Sequence, residues 1–296
     1  MSRPIAVYSY NRPNYLHQTL QALQPQTNGA EVFLFQDGPI NHPQDVTAVT
    51  NSINVFKKFF PNSKTFESPI TLGVAFNQKR GREFIFDNFD SAIFVEDDIV
   101  LNPYYIEQLN LLMDKFQDDQ DIGMISCFGE SHRHTDVFDK CKHLIKHSDW
   151  KVCQEKNKHK FMQMEHLWAY GYYKTAYEKV KDFMDQYYAL IPTNYAMRPH
   201  QEIYNFVSRH GIDPSKIVSS QDSVLSASLI KHGIIKLSTF TLNAKYVGEW
   251  GVHSRPDNYA QHWKYVIPYN QKVTDFEWDE NIKKSIFEVC KSKSLA

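Results

Sequence analysis

Apolar residues in the first half of the chain follow two rhythms in turn. Short unbroken runs, Ile5 to Tyr8, Val32 to Phe35 and Ala92 to Val95, read as strands buried on both faces. Between them the spacing lengthens to that of a helix face. Leu16, Leu20 and Leu23 form one stripe. Val46, Val49, Ile53, Phe56 and Phe60 form the next, opened by His42-Pro43 and ended before Pro61, and Leu72 to Phe86 reads as a third helix. Ile106, Leu109, Met113 and Phe116 repeat the helical interval after Asn102-Pro103, a capping residue followed by a proline suited to a first turn. Alternation of this kind predicts an α/β fold, a mostly parallel sheet covered by helices.

The pattern loosens after Gly123-Met124-Ile125-Ser126. Lys140 to Lys160, rich in Lys and His and poor in apolar residues, reads as a long exposed loop. Helical spacing returns from Tyr173 to Tyr188 and from Asp222 to His232, the latter stopped by Gly233. Ile234 to Thr241 resembles a strand, and Asp275 to Lys291 an amphipathic helix. No Pro/Gly/Ser-rich stretch separates the halves, so one composite domain is expected.

Bulk composition narrows the function classes. Of 296 residues, 42% are hydrophobic and 23% charged, as in an ordinary globular protein. A net charge of −1 argues against a general nucleic-acid binder. The 17 Tyr and 20 Phe suit a sugar-handling cleft and a large core equally well. Cys127, Cys141, Cys153 and Cys290 lack paired metal spacing and read as reduced thiols. No apolar run could span a membrane and no signal peptide precedes the first strand, so the expected compartment is the cytoplasm.

Five clusters carry candidate chemistry. The apolar run Ala92 to Val95 leads straight into Glu96-Asp97-Asp98, and three carboxylates cannot be buried unpaired. They are expected in a tight strand-to-helix turn, where ligands sit in open α/β sheets and where carboxylate oxygens suit a hard divalent cation. Tyr8-Ser9-Tyr10-Asn11-Arg12-Pro13 follows the first strand, where Arg12 could meet a base or phosphate. Asp37, in Gln36-Asp37-Gly38-Pro39, is either a ribose or base acceptor or a plain turn acid. Asp222 heads a helix, where the dipole favours an acid and where a rigid carboxylate suits a general base. His253, after Gly248-Glu249-Trp250-Gly251, could complete an oxygen-rich metal site or be a satisfied histidine.

In this order the clusters resemble those of a GT-A glycosyltransferase, a Rossmann-like fold, and within it the branch containing N-acetylglucosaminyltransferase I and related bacterial sugar transferases. The resemblance runs from Ile5 to His253, only its short motifs being specific. It implies residues 1–126 as the nucleotide-sugar half, 127–254 as the acceptor-binding and catalytic half, and 255–296 as a helical tail. Glu96-Asp97-Asp98 becomes the DxD-type motif: Asp98 binding Mn²⁺ or Mg²⁺, Asp97 near ribose and metal, Glu96 touching the donor sugar. Tyr8, Asn11, Arg12 and Asp37 fall with the nucleotide, Arg12 and Asp37 at positions that hold uracil. Asn77 and Arg80 fall under the diphosphate, and His253 near metal or diphosphate. Trp168, Tyr170 and Gly171 resemble an aromatic turn lining donor and acceptor, with Trp168, Tyr170 and Trp250 able to stack on sugars; a core aromatic stripe is the alternative. Asp222 becomes the base of an inverting transfer, although Gln221 departs from the Glu or Trp usual before it.

The implied reaction is transfer from a nucleotide sugar, by the resemblance UDP-linked and of GlcNAc type, to a glycan or lipid-linked acceptor, as in bacterial surface-polysaccharide or lipopolysaccharide assembly. The basic 140–160 stretch would favour an anionic acceptor, or be a solvated face. The last helix would lie on the inner membrane surface or, more simply, pack on the domain. A non-catalytic nucleotide-sugar or carbohydrate binder of the same fold would have little reason to keep Asp222 beside an intact acidic turn. A sugar-phosphate nucleotidylyltransferase should carry a Gly-rich, basic loop where Tyr10-Asn11-Arg12-Pro13 stands. A metal-dependent hydrolase would need more converging His and Asp ligands than the sequence offers.

Overall fold

The computed structural model describes residues 2–130, 148–251, 255–264 and 266–295. Its first half is built as the hydrophobic pattern predicts. Strand β1 (Ile5–Ser9), helix α1 (Pro13–Leu23), strand β2 (Val32–Gln36), helix α2 (Pro43–Phe59), strand β3 (Thr65–Glu67), helix α3 (Gly73–Asn88) and strand β4 (Ser91–Glu96) follow in order. Proline stands in the first turn of α1 and of α2, where its missing N–H has no helical partner to lose. Alternate strand residues face opposite ways. Ile5, Val7, Ile93 and Val95 enter one core with the α1 stripe, while Ala6, Tyr8, Ala92 and Phe94 enter a second with α3.

The acids end β4 as expected, but a helix does not follow at once. Asp97 and Asp98 form a turn into strand β5 (Ile99–Leu101), and helix α4 (Tyr105–Phe116) begins only afterwards. Strand β6 (Ile122–Ser126) comes next. Beyond it, helix α5 (Ser148–Asn157) corrects the expectation of an exposed loop over its residues, since Trp150 is wholly buried and Gln154 Nε2 donates to Ile267 O at 3.0 Å. A single large aromatic anchors this otherwise polar helix, too sparse a signal for periodicity to register.

Strand β7 (Phe161–Gln163) and strand β8 (Ala169–Tyr173) lead to helix α6 (Lys174–Leu190), helix α7 (His200–Arg209), helix α8 (Gln221–Lys231) and strand β9 (Ile235–Thr239). Strand β10 (Ala244–Tyr246) pairs antiparallel with β5, tying the second half of the chain to the acidic turn. Helix α9 (Pro256–His262) and helix α10 (Glu280–Ser292) complete the order. Asp279 Oδ1 caps α10 by accepting from Ile282 N at 2.8 Å, which starts that helix later than its polar lead-in suggested. Helix α10 buries Ile286 and Cys290 and packs beside β7, β9 and α8. Among the described residues no helix is long and apolar enough to cross a membrane.

The main sheet has eight strands in the order β3-β2-β1-β4-β8-β6-β9-β7. The first four run parallel. β8 lies antiparallel between β4 and β6, β6 and β9 are parallel, and β7 closes the edge antiparallel. The sheet is therefore mixed but mostly parallel, with helices on both faces and strands from both halves of the chain.

Lys236, on β9, is only 5% exposed, and among the described residues its ammonium has a single long bond, 3.4 Å, to Glu165 O. Burial holds its pKa below the ordinary lysine value, nearby Cys290 and carboxylates only partly opposing this. The charged form is thus disfavoured in the fold. That penalty is complete below the folded pKa and is relieved as pH rises towards the unfolded value. Lys236→Met is expected to raise stability by about 1–3 kcal/mol at neutral pH, with a gain that shrinks as pH approaches about 10. Urea titrations across that pH range would show it, and a destabilised variant at pH 7 would contradict it.

Candidate active site

The acidic turn sits at the carboxyl ends of the parallel strands, where an α/β sheet opens to ligands. Its charge is met by Arg12, which follows β1. Arg12 Nη1 donates to Asp98 Oδ2 at 2.7 Å, and Nη2 donates to Asp97 Oδ1. Asp97 Oδ2 accepts from Tyr10 N at 3.3 Å, and the Asp97 carbonyl from Thr19 Oγ1 at 2.9 Å. Asp98 Oδ1 is buried and, among the described residues, has no hydrogen-bond partner. Burial pushes the Asp98 carboxyl up to about 6, with Arg12 opposing and Asp97 adding to it. Burial, then the carboxylates of Asp98, Asp222 and Asp97, push Glu96 well above the usual range.

A segment from the second half lies across this turn. Val247 N donates to Asp98 O at 2.9 Å, and a Cβ on Gly248 would stand 2.5 Å from Asp98 Oδ2, so only glycine admits so close an approach. Trp250, 58% exposed, donates its backbone N–H to the Tyr15 hydroxyl at 3.1 Å, beside Arg12. Trp250 is therefore an exposed aromatic at the cleft. His253 lies outside the described residues, and among those described no group of three or more His, Cys, Asp or Glu could hold a metal.

The remaining acid arrives from α8. Ser220 caps that helix, accepting from Ser223 N at 3.4 Å, and Asp222 stands in its first turn. Two buried glutamines join Asp222 to Glu96. Gln78 Nε2 donates to Glu96 Oε1 at 2.7 Å, while Gln221 Nε2 donates to both Gln78 Oε1, at 2.8 Å, and Asp222 Oδ1, at 2.7 Å. Arg82 Nη2 also donates to Gln78 Oε1, at 2.5 Å, and Gln221 N to the Tyr195 hydroxyl at 2.6 Å. Gln221, a departure from the pattern of the resemblance, is thus the residue that fixes the Asp222 carboxylate.

Other expected residues are placed differently. Asp37 is a clamp: Oδ1 accepts from Gly38 N and Leu72 N at 2.8 and 2.7 Å, and Oδ2 from Gly73 N at 3.0 Å. It pins the start of α3, where Gly73 has a φ of +73°. Asn77 Nδ2 donates to Phe35 O, and Arg80 Nη2 to Gln36 O and Phe66 O, so both brace the ends of β2 and β3. Asn11 and Tyr10 are held by buried Asp45, on α2.

Tyr8, Tyr170 and Gly171, expected with the donor, are placed in the core of the sheet. Tyr8 is buried against Phe94 with its hydroxyl on Gln78 O, and Tyr170 is buried with its hydroxyl accepting from Arg82. At Gly171, in the middle of β8, a Cβ would collide with the Met113 sulfur. Trp168 borders the cleft, its carbonyl accepting from Glu96 N at 2.8 Å, and its ring is partly buried among aromatic neighbours. His166 stacks on it at 4.2 Å and Tyr246 at 4.6 Å between centroids. His166 Nδ1 is itself held 2.5 Å from buried Glu130 Oε1. Sequence reasoning missed Gln78, Arg82, Asp45 and Glu130. Gln78 and Arg82 stand four apart on α3 and share a face, the only signal they gave.

No family model matches the chain, and no curated protein does. Solved structures of similar layout include glycosyltransferases. A mannosyltransferase from Pyrobaculum calidifontis, in complex with GDP-Man and Mn²⁺, is 12% identical with a TM-score of 0.44, over 79% of this chain and 53% of that one. A glucosyl-3-phosphoglycerate synthase from Mycobacterium tuberculosis, in complex with Mn²⁺, uridine diphosphate and phosphoglyceric acid, is 12% identical with a TM-score of 0.34, over 60% and 58%. The galactosyltransferase LgtC, with donor and acceptor sugar analogues, is 9% identical with a TM-score of 0.33, over 80% and 86%. The chain thus spans about half the length of the mannosyltransferase.

Because Asp37 satisfies three backbone donors at the start of α3, Asp37→Ala is expected to lower stability by about 2–3 kcal/mol. Urea unfolding is the measurement, and wild-type stability in that variant would refute the clamp.

Proposed function

We propose that the protein is a GT-A glycosyltransferase, moving a sugar from a nucleotide donor, UDP-linked by the resemblance, to a hydroxyl of a glycan or lipid-linked acceptor. The observation that carries this is the Gln78–Gln221 bridge, which holds the Asp222 carboxylate beside Glu96 and the acidic turn at one sheet end. A lone acidic turn or a lone helix-start acid would have ordinary structural explanations. Both in one polar network, with a buried carboxylate oxygen left unpaired, are harder to explain as surface chemistry.

A divalent cation, Mn²⁺ or Mg²⁺, fits the donors present. Among the described residues Asp98 Oδ1 lacks a partner, and Asp97 is its neighbour across the Arg12 guanidinium. Such a cation would supply charge neutralisation to a leaving diphosphate. The protein's own residues do the rest. Arg12 offers a cation that can turn from the acids to donor phosphate. Trp250 offers an exposed ring to a sugar face. Asp222, oriented by Gln221, takes the proton from the acceptor hydroxyl as that oxygen attacks the anomeric carbon. One base and one displacement imply inversion.

Calorimetry with UDP, GDP, CDP and dTDP, each with Mn²⁺ and again with chelator, tests the reading. One nucleotide should bind tightly, and chelator or Asp98→Ala should abolish that binding; no cation-dependent binding to any of them would reject it. Asp222→Asn should retain donor binding while transfer falls by roughly 10²–10⁴. Arg12 and a dication compete for the same carboxylates, so Arg12→Met is expected to bind Mn²⁺ more tightly than wild type without nucleotide. Equal affinity by Mn²⁺ paramagnetic resonance would show that the guanidinium does not guard the acids.

A further inference from the structure

Beside the head of α8, side chains from two separate segments meet on one hydroxyl. Arg198 follows the turn Tyr195–Met197, His200 opens α7, and Ser219 precedes the Ser220 cap of α8. The Arg198 guanidinium lies over the Tyr195 ring, 4.6 Å from its centroid. Its Nε donates to Ser219 Oγ at 3.0 Å and its Nη1 to Tyr195 O at 3.2 Å. His200 Nδ1 stands 2.6 Å from the same Ser219 oxygen. Ser219 is 1% exposed, and its carbonyl accepts from the Tyr187 hydroxyl at 3.0 Å, so the oxygen they share is fixed.

This arrangement runs against simple electrostatics. Among the described residues every contact of the Arg198 guanidinium is to a neutral group, and no carboxylate pairs with it. An imidazole, which becomes a second cation on protonation, is drawn to the same oxygen, although like charges side by side repel. Ordering a long arginine side chain also costs rotamer freedom that neutral contacts offset only in part. An anion placed against both groups resolves the conflict. Arg198 is partly exposed and His200 exposed, so both can be reached from solvent. A planar guanidinium beside a ring N–H suits the oxygens of a phosphate.

The pair also adjoins the expected base. The Tyr195 hydroxyl accepts from Gln221 N at 2.6 Å, and Gln221 Nε2 donates to Asp222 Oδ1 at 2.7 Å. One tyrosine ring therefore separates Arg198 from the residue that orients Asp222. We propose that Arg198 and His200, gathered on Ser219, bind a phosphate group carried by the acceptor and so present its hydroxyl to Asp222. This rests on the transferase reading above. The phosphate belongs to a soluble acceptor or to a lipid headgroup; for the latter, Met197 and Val218, 72% and 60% exposed, adjoin Arg198 and Ser219 in the chain.

The test titrates the nucleotide-free full chain with inorganic phosphate by calorimetry, and with phosphatidylcholine vesicles with and without phosphatidic acid by co-sedimentation. Binding of at least one phosphate probe is expected, weakened roughly tenfold in Arg198→Gln and several-fold in His200→Gln. His200 is exposed, so its variant keeps the test usable if the arginine variant does not fold. Binding to inorganic phosphate alone assigns a soluble source, and binding that needs phosphatidic acid a lipid one. No binding of either probe, or equal affinity in wild type and both variants, would overturn the site. UDP with Mn²⁺ is titrated separately. Weaker nucleotide binding in Arg198→Gln would give the cations to the donor and overturn the acceptor assignment. Failure of the transferase reading looks different: nucleotide binding is absent while phosphate binding persists.

Discussion

A strand buried on both faces can end in three carboxylates only if something answers their charge. Here the answer is the Arg12 guanidinium, fixed between Asp97 and Asp98. Much else follows from that contact. Arg12 lies between β1 and α1, so the ion pair joins the outer ends of β1 and β4, already parallel neighbours. The acids in turn set the path of the chain around them. Tyr10 and Thr19 approach from one side, and the Val247–Gly248 segment crosses from another, close enough that only glycine fits. Partial neutralisation, with one oxygen of Asp98 left over, is what separates a cleft from a closed salt bridge. Full pairing would have made the turn inert.

The fold was largely legible because its cores are built on simple rhythms. The stripes of α1, α2 and α4 and the unbroken runs of β1, β2 and β4 dictate which faces are buried. Reading failed where burial did not follow hydropathy. Helix α3 turns Asn77, Gln78, Gly81 and Arg82 inward, a polar face that periodicity treats as solvent. Helix α5 is mostly polar, and Trp150 is its one wholly buried large side chain among the described residues. The short strands β3, β5, β7 and β10 have three residues each, too few for an alternation to declare itself.

The site was legible in its charges and illegible in its amides. Glu96, Asp97, Asp98 and Asp222 announce themselves because carboxylates beside apolar runs need an explanation. Gln78 and Gln221 carry no such signal, yet they bring Asp222 and Glu96 together. Aromatic residues misled in the opposite sense. Tyr8, Tyr170 and Trp168 read as cleft residues by the resemblance, but the first two are core and the third stacks with His166 and Tyr246. Asp37 was evenly placed between two uses, and its three backbone bonds explain its burial without any ligand.

The antiparallel insertion of β8 has a consequence for how the chain is made. β4 is completed early in the sequence, and on one side it already has β1 as a partner. Its other edge is closed only by β8, which must enter between β4 and β6. During synthesis the ribosome therefore exposes a flat, apolar strand edge, Ala92 to Val95, for the whole interval until Ala169–Tyr173 emerges. Unpaired edges of this kind recruit other chains. β8 thus removes that exposed edge and, in the same step, joins the two halves of the sheet.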